Sequence, residues 1–569
     1  MANPGYRVKT MDPMRAAEFG RAWDLGPATA QILLQRGWEE REAGALEWLD
    51  PKLARLTAPD AMADRMKAAE RLAEACRKGQ RISIFGDYDV DGTTSAAILA
   101  DILEELGAEV HAFVANRFQG GYGFSGPALD RCLAVKPDLI ITCDCGSSDH
   151  PRIQRSADSG VPVIVVDHHL VPKETLPAHS FLNPHRPECG FPYKGLCSAG
   201  LALSLGAAVR QVLGAKLDVR RWLDLVALGT VADVAPLDGD NRALVRAGLR
   251  LLASDKARPG VQALRAKAGL RAGNAMGATE IAFRLAPRLN AAGRLGDPTV
   301  TLKLLRARTL QEAHACAEEI ESLNNERKAA TKKTTDEAFA QVEELYGSQP
   351  THGVVVAAKG WHRGVVGITA ARIVDHFDVP AVVIALDENG HGSGRTPDGF
   401  DLYTALSKCK EHFLRFGGHQ AAAGLTMETD KIPAFREAFS AVAPRPEAGV
   451  ALPLVDIELD GRFPLPSVRD LMRLEPMGEG NAEPVFALRD AHITEARTLS
   501  GGQHLKLRLR VGDRYVSAFG ANLAHRLEAL GDRVTVVGTL RPDHWRGGEN
   551  LELSVRHLFS ETPEMPVEA

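Results

Sequence analysis

The chain has 569 residues, of which 45% are hydrophobic and 25% charged, and these proportions exclude a disordered or fibrous protein. At roughly 100–200 residues per domain, this length predicts about three or four domains. The net charge of −5 excludes a uniformly basic nucleic-acid-binding surface but is compatible with a local basic groove. No apolar run approaches the roughly 18 residues that cross a membrane, and the eight cysteines form no CxxC pair. We therefore expect a cytoplasmic protein with reduced thiols and no membrane segment.

The first third of the chain changes from helical to α/β character near residue 80. Short helices are predicted over residues 1–78, including Ala28–Arg36 and Ala61–Lys78. Apolar β-type runs then alternate with helical stretches such as Thr93–Leu106. The β-type runs are Arg81–Gly86, Val110–Val114, Asp138–Cys143 and Val161–Val166. This alternation predicts a parallel sheet covered by helices, and residues 200–295 are predicted to be mainly helical.

A long helix is predicted over Leu310–Tyr346. Thr309 and Glu312 fit a capping box, the stretch contains no proline or glycine, and Gly347 provides a stop signal. At 1.5 Å per residue such a helix would be about 55 Å long, which is enough to connect two domains. A break near residues 324–325 is the alternative.

The C-terminal half contains a second α/β unit and then a β-rich region. The α/β unit comprises strand Gly353–Ala358, helix Val365–Phe377, strand Ala381–Leu386, and a glycine-rich turn and strand at 390–396. The later β-type runs are Leu454–Leu459, Val485–Leu488, Leu505–Val511, Tyr515–Phe519 and Val534–Leu540. They predict a small barrel of the OB type.

The predicted fold class is therefore α/β, with two α/β domains joined by a long helix and followed by an OB-like β-barrel. The predicted boundaries are 1–78 for an N-terminal helical segment, 79–300 for a first, catalytic α/β domain, 301–347 for the connecting helix, 348–445 for a second α/β domain and 450–560 for the barrel.

Acidic residues follow three of the predicted strands at the point where each strand ends. Asp87, Asp89 and Asp91 follow the first strand, Asp144 follows the third, and the Asp167-His168-His169 sequence follows the fourth. Because the carboxyl ends of parallel strands meet at one edge of a sheet, we expect these side chains to lie close together.

Carboxylates packed this closely would repel one another, and a divalent cation would remove the conflict. Mixed Asp and His ligands suit Mn²⁺ or Mg²⁺ better than a structural Zn²⁺ site. Two such ions, bridged by Asp144 or Asp89, would activate water and stabilise a leaving oxygen in phosphoryl transfer. Asp233, which follows an apolar helix, is a further predicted ligand.

Positive groups for a phosphate substrate are also present. Arg117 follows the second strand, and residues 255–295 carry eight basic residues against Asp255 and Glu280, a local charge of +6. The glycine-rich stretches at 392–395 and 417–424 would let backbone N–H groups approach an anion, and they contain Arg395 and His419. We predict that these groups clamp a substrate phosphate.

Several motifs, in order along the chain, resemble those of a known family. GDYDVDG, TCDCG, VDHH and GTVADVAPL resemble motifs I to IV of the DHH phosphoesterases, and FGGHQAAAGL resembles the motif of the DHHA1 domain. APRLNAAGRL, WHRGVVGITAARI, GSGRT and LEPMGEGNAEPVF narrow the resemblance to the RecJ family of single-strand-specific exonucleases. The second motif departs from the usual TVDNG in having two cysteines, which we expect to be small buried residues. The extra C-terminal domain of some relatives is not expected here.

The resemblance implies a 5′→3′ exonuclease that releases 5′-mononucleotides from single-stranded DNA in recombination and repair, with Mn²⁺ or Mg²⁺ as a pair of cofactor ions. The residues it implies as metal ligands are Asp87, Asp89, Asp144, His168 and Asp233, with Asp91 as a possible residue behind them. It implies catalytic roles for Asp167, His168 and His169, the last acting on the scissile phosphate. The implied substrate contacts are Arg117, Arg288, Asn290, Arg294, Ser393, Arg395 and His419. A single-strand-binding protein and a helicase are the expected partners of a monomeric enzyme.

The predicted barrel offers a second contact surface for DNA. Alternation along one predicted strand places Lys506, Arg508 and Arg510 on one face, which is typical of a track for a single strand. A solvated outer face without a ligand is the alternative. At the level of function, two alternatives remain: a DHH-type phosphoesterase acting on short oligonucleotides or cyclic dinucleotides, and an inactive DNA-binding scaffold of the Cdc45 type.

Overall fold

The computed structural model describes residues 5–38, 42–118, 123–274, 276–445, 452–460, 462–499, 501–512, 514–543 and 547–560. Among these residues, no helix is both long enough and apolar enough to span a membrane. The predicted fold class is confirmed: two α/β domains are joined by a long helix, and a β-barrel follows them.

The N-terminal segment is helical, as the sequence predicts. Its elements are β1 (Arg7–Val8), α1 (Pro13–Trp23), α2 (Pro27–Gln35), α3 (Glu42–Leu49) and α4 (Arg65–Lys78). The helices α1–α3 do not form a separate unit, because their apolar faces share a core with the barrel, including Trp23, Leu33 and Leu49. The short strand β1 also pairs in parallel with a strand at residues 454–455. The prediction treated 1–78 as one segment, whereas its first part packs on the barrel and α4 packs on the first α/β domain.

The first α/β domain contains a parallel sheet. Its elements are β2 (Arg81–Gly86), α5 (Val90–Glu105), β3 (Glu109–Val114), α6 (Gly126–Ala134), β4 (Leu139–Cys143), α7 (His150–Asp158), β5 (Val163–Val166) and β6 (Ser180–Leu182). The strand order is β3-β2-β4-β5-β6, and all neighbours are parallel. The order reverses between β2 and β4, which is where ligands bind in open α/β sheets.

A helical layer completes this domain. Its elements are α8 (Ser198–Leu213), α9 (Leu223–Ala232), α10 (Gly239–Ala253), α11 (Pro259–Lys267), α12 (Ala278–Glu280), a π-helical turn (Ile281–Leu285), α13 (Ala286–Leu295) and α14 (Thr299–Arg306). The helix α5 lies against β2 and packs on α8 and α9, so the sheet, α5 and α8–α9 form successive layers of one core.

The long helix α15 extends over Leu310–Tyr346 without a break, and the Thr309–Glu312 capping box is present. The second α/β domain follows, with β7 (Val354–Lys359), α16 (Val366–Phe377), β8 (Ala381–Leu386), β9 (Gly390–Arg395), α17 (Leu402–Ser407), β10 (Arg415–Gly418), β11 (Ala422–Met427) and α18 (Ile432–Val442). Its sheet has the order β10-β11-β9-β8-β7, with only β7 and β8 parallel. The strand predicted within 390–396 is present as β9, and residues 392–395 lie inside it and not in a turn.

The barrel is closed. Its elements are β12 (Leu454–Val455), β13 (Ile457–Glu458), α19 (Val468–Arg473), β14 (Val485–Leu499), β15 (His504–Val511), β16 (Arg514–Gly520), β17 (Arg533–Pro542) and β18 (Leu551–Ser560). The sheet order β14-β15-β16-β18-β17 closes through pairing of β17 with β14. Closure removes the exposed sheet edges, and the sequence prediction missed β18, the strand that makes it possible.

Candidate metal centre and substrate pocket

The acidic residues predicted from the strand ends meet at one edge of the first sheet. Gly86 pairs with Cys143, and Cys143 pairs with Val166, so Asp87, Asp144 and Asp167 follow directly on three adjacent strand ends. The backbone hydrogen bonds continue one residue beyond the strands, since Asp144 N donates to Val166 O at 2.9 Å. The sheet register therefore fixes the spacing of these carboxylates.

Asp144 lies at the centre of the group. Its backbone is left-handed (φ 60°), its side chain is buried, and its Oδ1 lies 3.2 Å from His168 Nε2 and 3.8 Å from His169 Nδ1. A non-glycine residue in this conformation is uncommon, and such backbone strain clusters at functional sites. The flanking Cys143 and Cys145 are buried free thiols, as predicted.

Asp91 and Asp233 approach His168 from two different helices. Asp91 Oδ2 lies 3.9 Å and Asp233 Oδ2 lies 3.7 Å from His168 Nε2. Asp91 is buried and accepts hydrogen bonds from Ser198 N at 2.8 Å and Ala199 N at 2.9 Å, so it caps the first turn of α8. These bonds orient Asp91, whereas Asp233 follows α9 and stays 21% exposed.

The donor set fits divalent cations. Three groups of side chains each bring their oxygen or nitrogen atoms within 4.8 Å of one another, namely Asp87-Asp89-Asp144, Asp144-His168-His169 and Asp91-His168-Asp233. Asp87 Oδ2 is buried with no hydrogen-bond partner among the described residues. His168 Nε2 is also buried and makes no hydrogen bond of good geometry to any described residue, although it faces Asp144. Buried polar atoms without partners are rare, and a bound cation would satisfy both.

Three carboxyl groups of this centre have raised pKa values, so they keep their protons to a higher pH than ordinary carboxyl groups do; they belong to Asp87, Asp144 and Asp233. Burial, and then the neighbouring Asp89, raise the pKa of Asp87 and of Asp144 well above the usual value. Burial followed by repulsion from Asp91 and Asp89 raises the pKa of Asp233 to about 8. This is the behaviour of carboxylates that lack a compensating positive charge.

Asp167 and His169 form a separate pair beside the centre. His169 Nδ1 lies 2.7 Å from Asp167 Oδ1, and Ser147 N donates to Asp167 Oδ2 at 3.0 Å. Burial alone would lower the pKa of His169, but the hydrogen bond to Asp167 outweighs it and raises the pKa to about 9. Burial likewise opposes ionisation of Asp167, yet the His169 bond holds the pKa of that carboxyl below its usual range. The pair therefore keeps the imidazole protonated near neutral pH.

A cavity of about 280 Å³ opens beside the acidic cluster. Its lining includes the predicted residues Asp89, Asp91, Arg117, Asp233, Asn290 and Arg294, together with Tyr88. Arg117 donates to Tyr88 Oη at 3.0 Å and lies over the Tyr88 ring, with its guanidinium carbon 4.7 Å from the ring centroid. The cavity is thus lined by carboxylates and by guanidinium groups, so cations and an anion could be held next to each other.

Ser393 and Arg395 lie in β9 of the second α/β domain, close to the guanidinium groups of this cavity. Arg395 donates to Ser393 Oγ at 3.1 Å, and a Cβ at Gly367 would come within 3.2 Å of the Arg395 guanidinium. Arg395 and Arg294 are mostly buried, which lowers their pKa values, and Arg117 lowers both further. The positive charge of Arg117 therefore acts on both guanidinium groups, and such a cluster of positive charges favours a bound anion.

Other predicted substrate residues lie elsewhere. Arg288 is not among the residues that line the cavity, because its guanidinium is bound by Glu321 at 2.6 Å and by the Arg284 and Lys267 carbonyls. His419 lies in the exposed turn between β10 and β11, and its N–H donates to Ala422 O. Ala422 pairs with Arg395, so His419 is near that residue along the sheet.

Most of the basic residues that give 255–295 its predicted charge of +6 form ion pairs or hydrogen bonds within the fold. Arg258 is bound by Asp224, Lys267 by Glu318, and Arg265 by main-chain carbonyls. The expectation of a phosphate clamp in this stretch is therefore too broad, and of its eight basic residues only Arg294 lines the cavity.

The barrel face has the predicted alternation. Along β15, Leu505, Leu507 and Leu509 are buried, while Lys506, Arg508 and Arg510 point outward. Two of these cations are paired, Lys506 with Glu552 and Arg508 with Glu495. Arg508 also lies over the Tyr515 ring, which is 54% exposed. Phe519 is half-buried and contacts His504 edge-on.

Sequence reasoning missed the residues that orient the centre. Ser198 donates its hydroxyl to Asp144 Oδ1 at 3.2 Å, and Asn183 Nδ2 donates to the His169 carbonyl at 2.8 Å. Ser198 starts an apolar helix, and that position was the available signal. Asn183 follows β6, a strand of three residues that was too short to be recognised.

Comparison with known families gives three matches. The model of the DHH family N-terminal domain matches residues 81–230, that of the DHHA1 domain residues 351–443 and that of the RecJ OB domain residues 455–557.

Two relatives that match most of this chain have the same name. The single-stranded-DNA-specific exonuclease RecJ of Escherichia coli (strain K12) is 36% identical over 88% of this chain and 90% of its own. Its namesake from Thermus thermophilus is 37% identical over 98% of this chain and 79% of its own. The crystal structure of RecJ from Thermus thermophilus in complex with Mn²⁺ superposes with a TM-score of 0.79 at 33% identity, covering 98% of this chain and 80% of the other.

Proposed function

The chain belongs to the RecJ family of single-stranded-DNA-specific exonucleases, and from this membership we propose that it degrades single-stranded DNA from the 5′ end and releases 5′-mononucleotides. The reaction is a metal-dependent phosphodiester hydrolysis that serves DNA recombination and repair. The observation that carries the proposal is the convergence of Asp87, Asp89, Asp144, His168 and Asp233 beside a cavity that Arg117 and Arg294 also line.

The cofactor is Mn²⁺ or Mg²⁺. Two ions would be held by Asp87, Asp89, Asp144, His168 and Asp233. Asp91, which the backbone of α8 orients, would lie behind these ligands or be one of them. When bound, such ions activate the attacking water and stabilise the leaving oxygen. Relatives with solved structures contain Mn²⁺ or Mg²⁺, which supports the assignment of a hard divalent cation.

The chain's own side chains position the phosphate. Asp167 holds the His169 ring through Nδ1, and the protonated ring carries its second N–H at Nε2. A protonated His169 can therefore donate a hydrogen bond to a non-bridging oxygen of the scissile phosphate and offset its charge. Tyr88 and Asn290 line the path between the acidic and basic sides of the cavity.

We attribute the 5′ polarity to the basic groups beside the cavity. Arg117 and Arg294 line the cavity, and the first turn of α16, at Gly367, lies against Ser393 and Arg395 of β9. Guanidinium groups and a helix N-terminus both favour a terminal phosphate dianion. A 5′-phosphate held there places the first phosphodiester at the acidic side, so hydrolysis removes one nucleotide at a time.

The expected cellular setting is the cytoplasm, with a single-strand-binding protein and a helicase as partners and with the enzyme acting as a monomer. A helicase would supply the single strands that the enzyme consumes, and a single-strand-binding protein would cover those same strands. These partners follow from the substrate, because duplex DNA must be opened before a single strand can enter the crevice.

Digestion of end-labelled single-stranded DNA with Mn²⁺ tests the proposal. A 5′ label should appear at once as mononucleotide, while a 3′ label should stay in a shrinking strand, and blunt duplex should resist. Immediate release of the 3′ label would reverse the polarity. Preference for strands of two to five nucleotides over long ones would favour a short-oligonucleotide phosphoesterase, and no hydrolysis with intact DNA binding would favour a scaffold.

A further inference from the structure

The segment 474–483 connects α19 to β14, and we call it the junction loop. We propose that the junction loop positions the metal centre by fixing two segments. One is residues 233–237, which begin with Asp233 and which we call the arm, and the other is the helix α13, which carries Asn290 and Arg294. The inference goes beyond the proposed function but depends on its assignment of Asp233 as a metal ligand. The sequence motif of this loop lies far along the chain from every proposed ligand.

The first contact is to the arm. Leu237 N donates to Glu479 O at 2.8 Å, four residues beyond Asp233. The Leu237 side chain is buried against the loop, and a Cβ at Gly478 would lie 2.8 Å from Leu237 Cδ1. A Cβ at Gly480, where φ is +70°, would lie 3.5 Å from Pro236 Cβ. A Cβ at Gly478 would therefore require Leu237 to move, whereas at Gly480 the left-handed backbone itself disfavours any other residue.

The arm requires an external hold because its own backbone is strained. Val234 directly follows Asp233, has a left-handed backbone (φ 59°), and exposes 65% of its surface. For a β-branched residue this conformation is a genuine outlier and is strained. Such a conformation persists only where the surroundings fix it. The Leu237–Glu479 hydrogen bond and the packing of Leu237 supply that restraint.

The second contact is to the other wall of the cavity. Glu475 Oε2 accepts a hydrogen bond from Ala278 N at 3.3 Å, and Thr279 Oγ1 donates to Glu483 at 2.8 Å. These residues begin α12, which continues through the π-helical turn into α13 with Asn290 and Arg294. The loop therefore fixes the start of a continuous helical path to the cavity.

The junction loop itself is rigid. Asn481 Nδ2 donates to Leu474 O at 2.9 Å and to Pro476 O at 2.6 Å. The buried Arg242 guanidinium donates to the same two carbonyls, at 3.2 and 3.3 Å. The Leu474 and Pro476 carbonyls thus each accept hydrogen bonds from two side chains. Asn481 belongs to the loop and Arg242 to the first α/β domain, so both fix the shape of the loop.

The test is Mn²⁺ affinity measured by electron paramagnetic resonance on the DNA-free protein. Gly478→Val and Asn481→Ala should weaken binding of the ion that Asp233 holds by about 10–100-fold, as changes behind a metal ligand do. Gly478→Ala is the milder second variant if either fails to fold, since its Cβ alone displaces Leu237. Asp233→Asn supplies the reference loss of affinity.

The matched control is Val516→Ala, which removes buried volume from the barrel away from the loop. It should lower the melting temperature without changing Mn²⁺ affinity. Wild-type Mn²⁺ affinity in a folded junction-loop variant would overturn the inference, as would an equal loss in Val516→Ala. If Asp233→Asn left Mn²⁺ affinity unchanged, the metal role of Asp233 would fail and the inference with it. An effect of Asp233→Asn alone would overturn only the positioning role.

Discussion

At the scale of single residues, Asp144 connects the aspartates that follow β2 to the two histidines of the metal centre. It belongs to two of the three ligand groups and lies on the strand between those that deliver Asp87 and Asp167. Its left-handed backbone and its bond from Ser198 fix one carboxylate oxygen toward both histidines. A bridging role between two ions suits that position better than any other in the cluster.

We expect Asp144→Ala to reduce turnover by more than about a hundredfold, since even residues behind a metal ligand contribute 10–100-fold. Binding of single-stranded DNA in EDTA should change little, because the basic side of the cavity and the barrel remain. Steady-state turnover and filter binding on the folded variant measure both. Asp130→Ala, at an exposed carboxylate paired with Arg155, is the control, and turnover near the wild-type rate in Asp144→Ala would exclude the bridging role.

The raised pKa values predict how the metal-free protein responds to pH. A carboxyl whose pKa is higher in the folded state stabilises that state at low pH, and the stabilisation is lost as pH rises through the folded-state pKa. For Asp233 the window runs from the ordinary 3.8 to about 8. His169, raised from 6.5 to about 9, acts in the same direction.

The melting temperature in EDTA should therefore fall between pH 5 and pH 8.5. Mn²⁺ should restore more stability at the higher pH, because the ion displaces protons from these carboxyls. A thermal-shift series with and without Mn²⁺ measures both effects. Asp233→Asn should flatten the fall, whereas a melting temperature that rises across this range in the wild-type protein would contradict the assignment.

Arg395 is expected to recognise the 5′-phosphate. Arg395→Ala should lower the preference for 5′-phosphorylated over 5′-hydroxyl DNA by about tenfold or more, since charge-assisted bonds contribute roughly 1.5–3 kcal/mol. The ratio of kcat/KM for the two substrates is the measurement. Arg288→Ala is the contrasting variant, because that arginine is held by Glu321. Arg288→Ala should lower stability and leave the ratio of kcat/KM values unchanged. An unchanged ratio in Arg395→Ala would show that the 5′-phosphate is recognised elsewhere.

At the scale of elements, the strand β15 shows that outward-facing basic residues need not be free. Glu495 and Glu552 come from β14 and β18, the strands on either side of the β15–β16 pair, so barrel closure neutralises part of the predicted track. Arg510 is exposed and has no carboxylate within ion-pair distance among the described residues, so it carries the freest charge of the three.

Replacing Lys506, Arg508 and Arg510 by Ala should raise KM on long single-stranded DNA and leave kcat on very short strands unchanged. Each phosphate contact contributes about −0.7 to the salt slope. The slope should therefore flatten by about 0.7 if Arg510 acts alone and by about 2 if DNA displaces both glutamates. A salt series on one long and one short substrate distinguishes these values.

The matched variant for the track is Glu495→Gln with Glu552→Gln, which frees Lys506 and Arg508. It should lower KM on long strands, because the two cations no longer have competing partners. Equal effects of the alanine variant on long and short substrates would mean that the barrel shapes the active site and is not a track.

At the scale of the whole molecule, the N-terminal helices are part of the barrel's core. Trp23 is almost completely buried in that core, together with residues of β14–β18. A hydrogen bond and an ion pair also join the N-terminal segment to residues 456–458. Tyr6 donates to Glu458 at 2.7 Å, and Lys9 pairs with Asp456 at 2.6 Å. The N-terminal helices and the barrel therefore fold as one unit.

Trp23→Ala should destabilise this unit by about 3–5 kcal/mol, the usual cost of removing a large buried aromatic. Hydrogen exchange should accelerate in β14–β18 and stay unchanged in β2–β5, whose core is separate. Met14→Ala, at a side chain that is 85% exposed, is the control and should have no effect. Equal loss of protection in β2–β5 would show that the two cores unfold together.

The sequence determined the elements whose signals are local. The strands β2 and β8 and the helix α15 have the predicted bounds, because apolar runs, caps and stop signals lie within them. The acidic side chains were predicted to converge for a similar reason, since parallel strands bring their carboxyl ends to one edge whatever the rest of the fold does. The roles of the individual ligands remain predictions.

Only the tertiary structure decided which charged groups are free and which segments share a core. Arg288, Lys506 and Arg508 resembled free cations in sequence, but carboxylates from distant elements pair with them. The packing of Trp23 into the barrel and the contact of Glu479 with Leu237 join residues more than 200 positions apart. Such pairings depend on how whole elements pack in three dimensions, and no local periodicity or spacing encodes them.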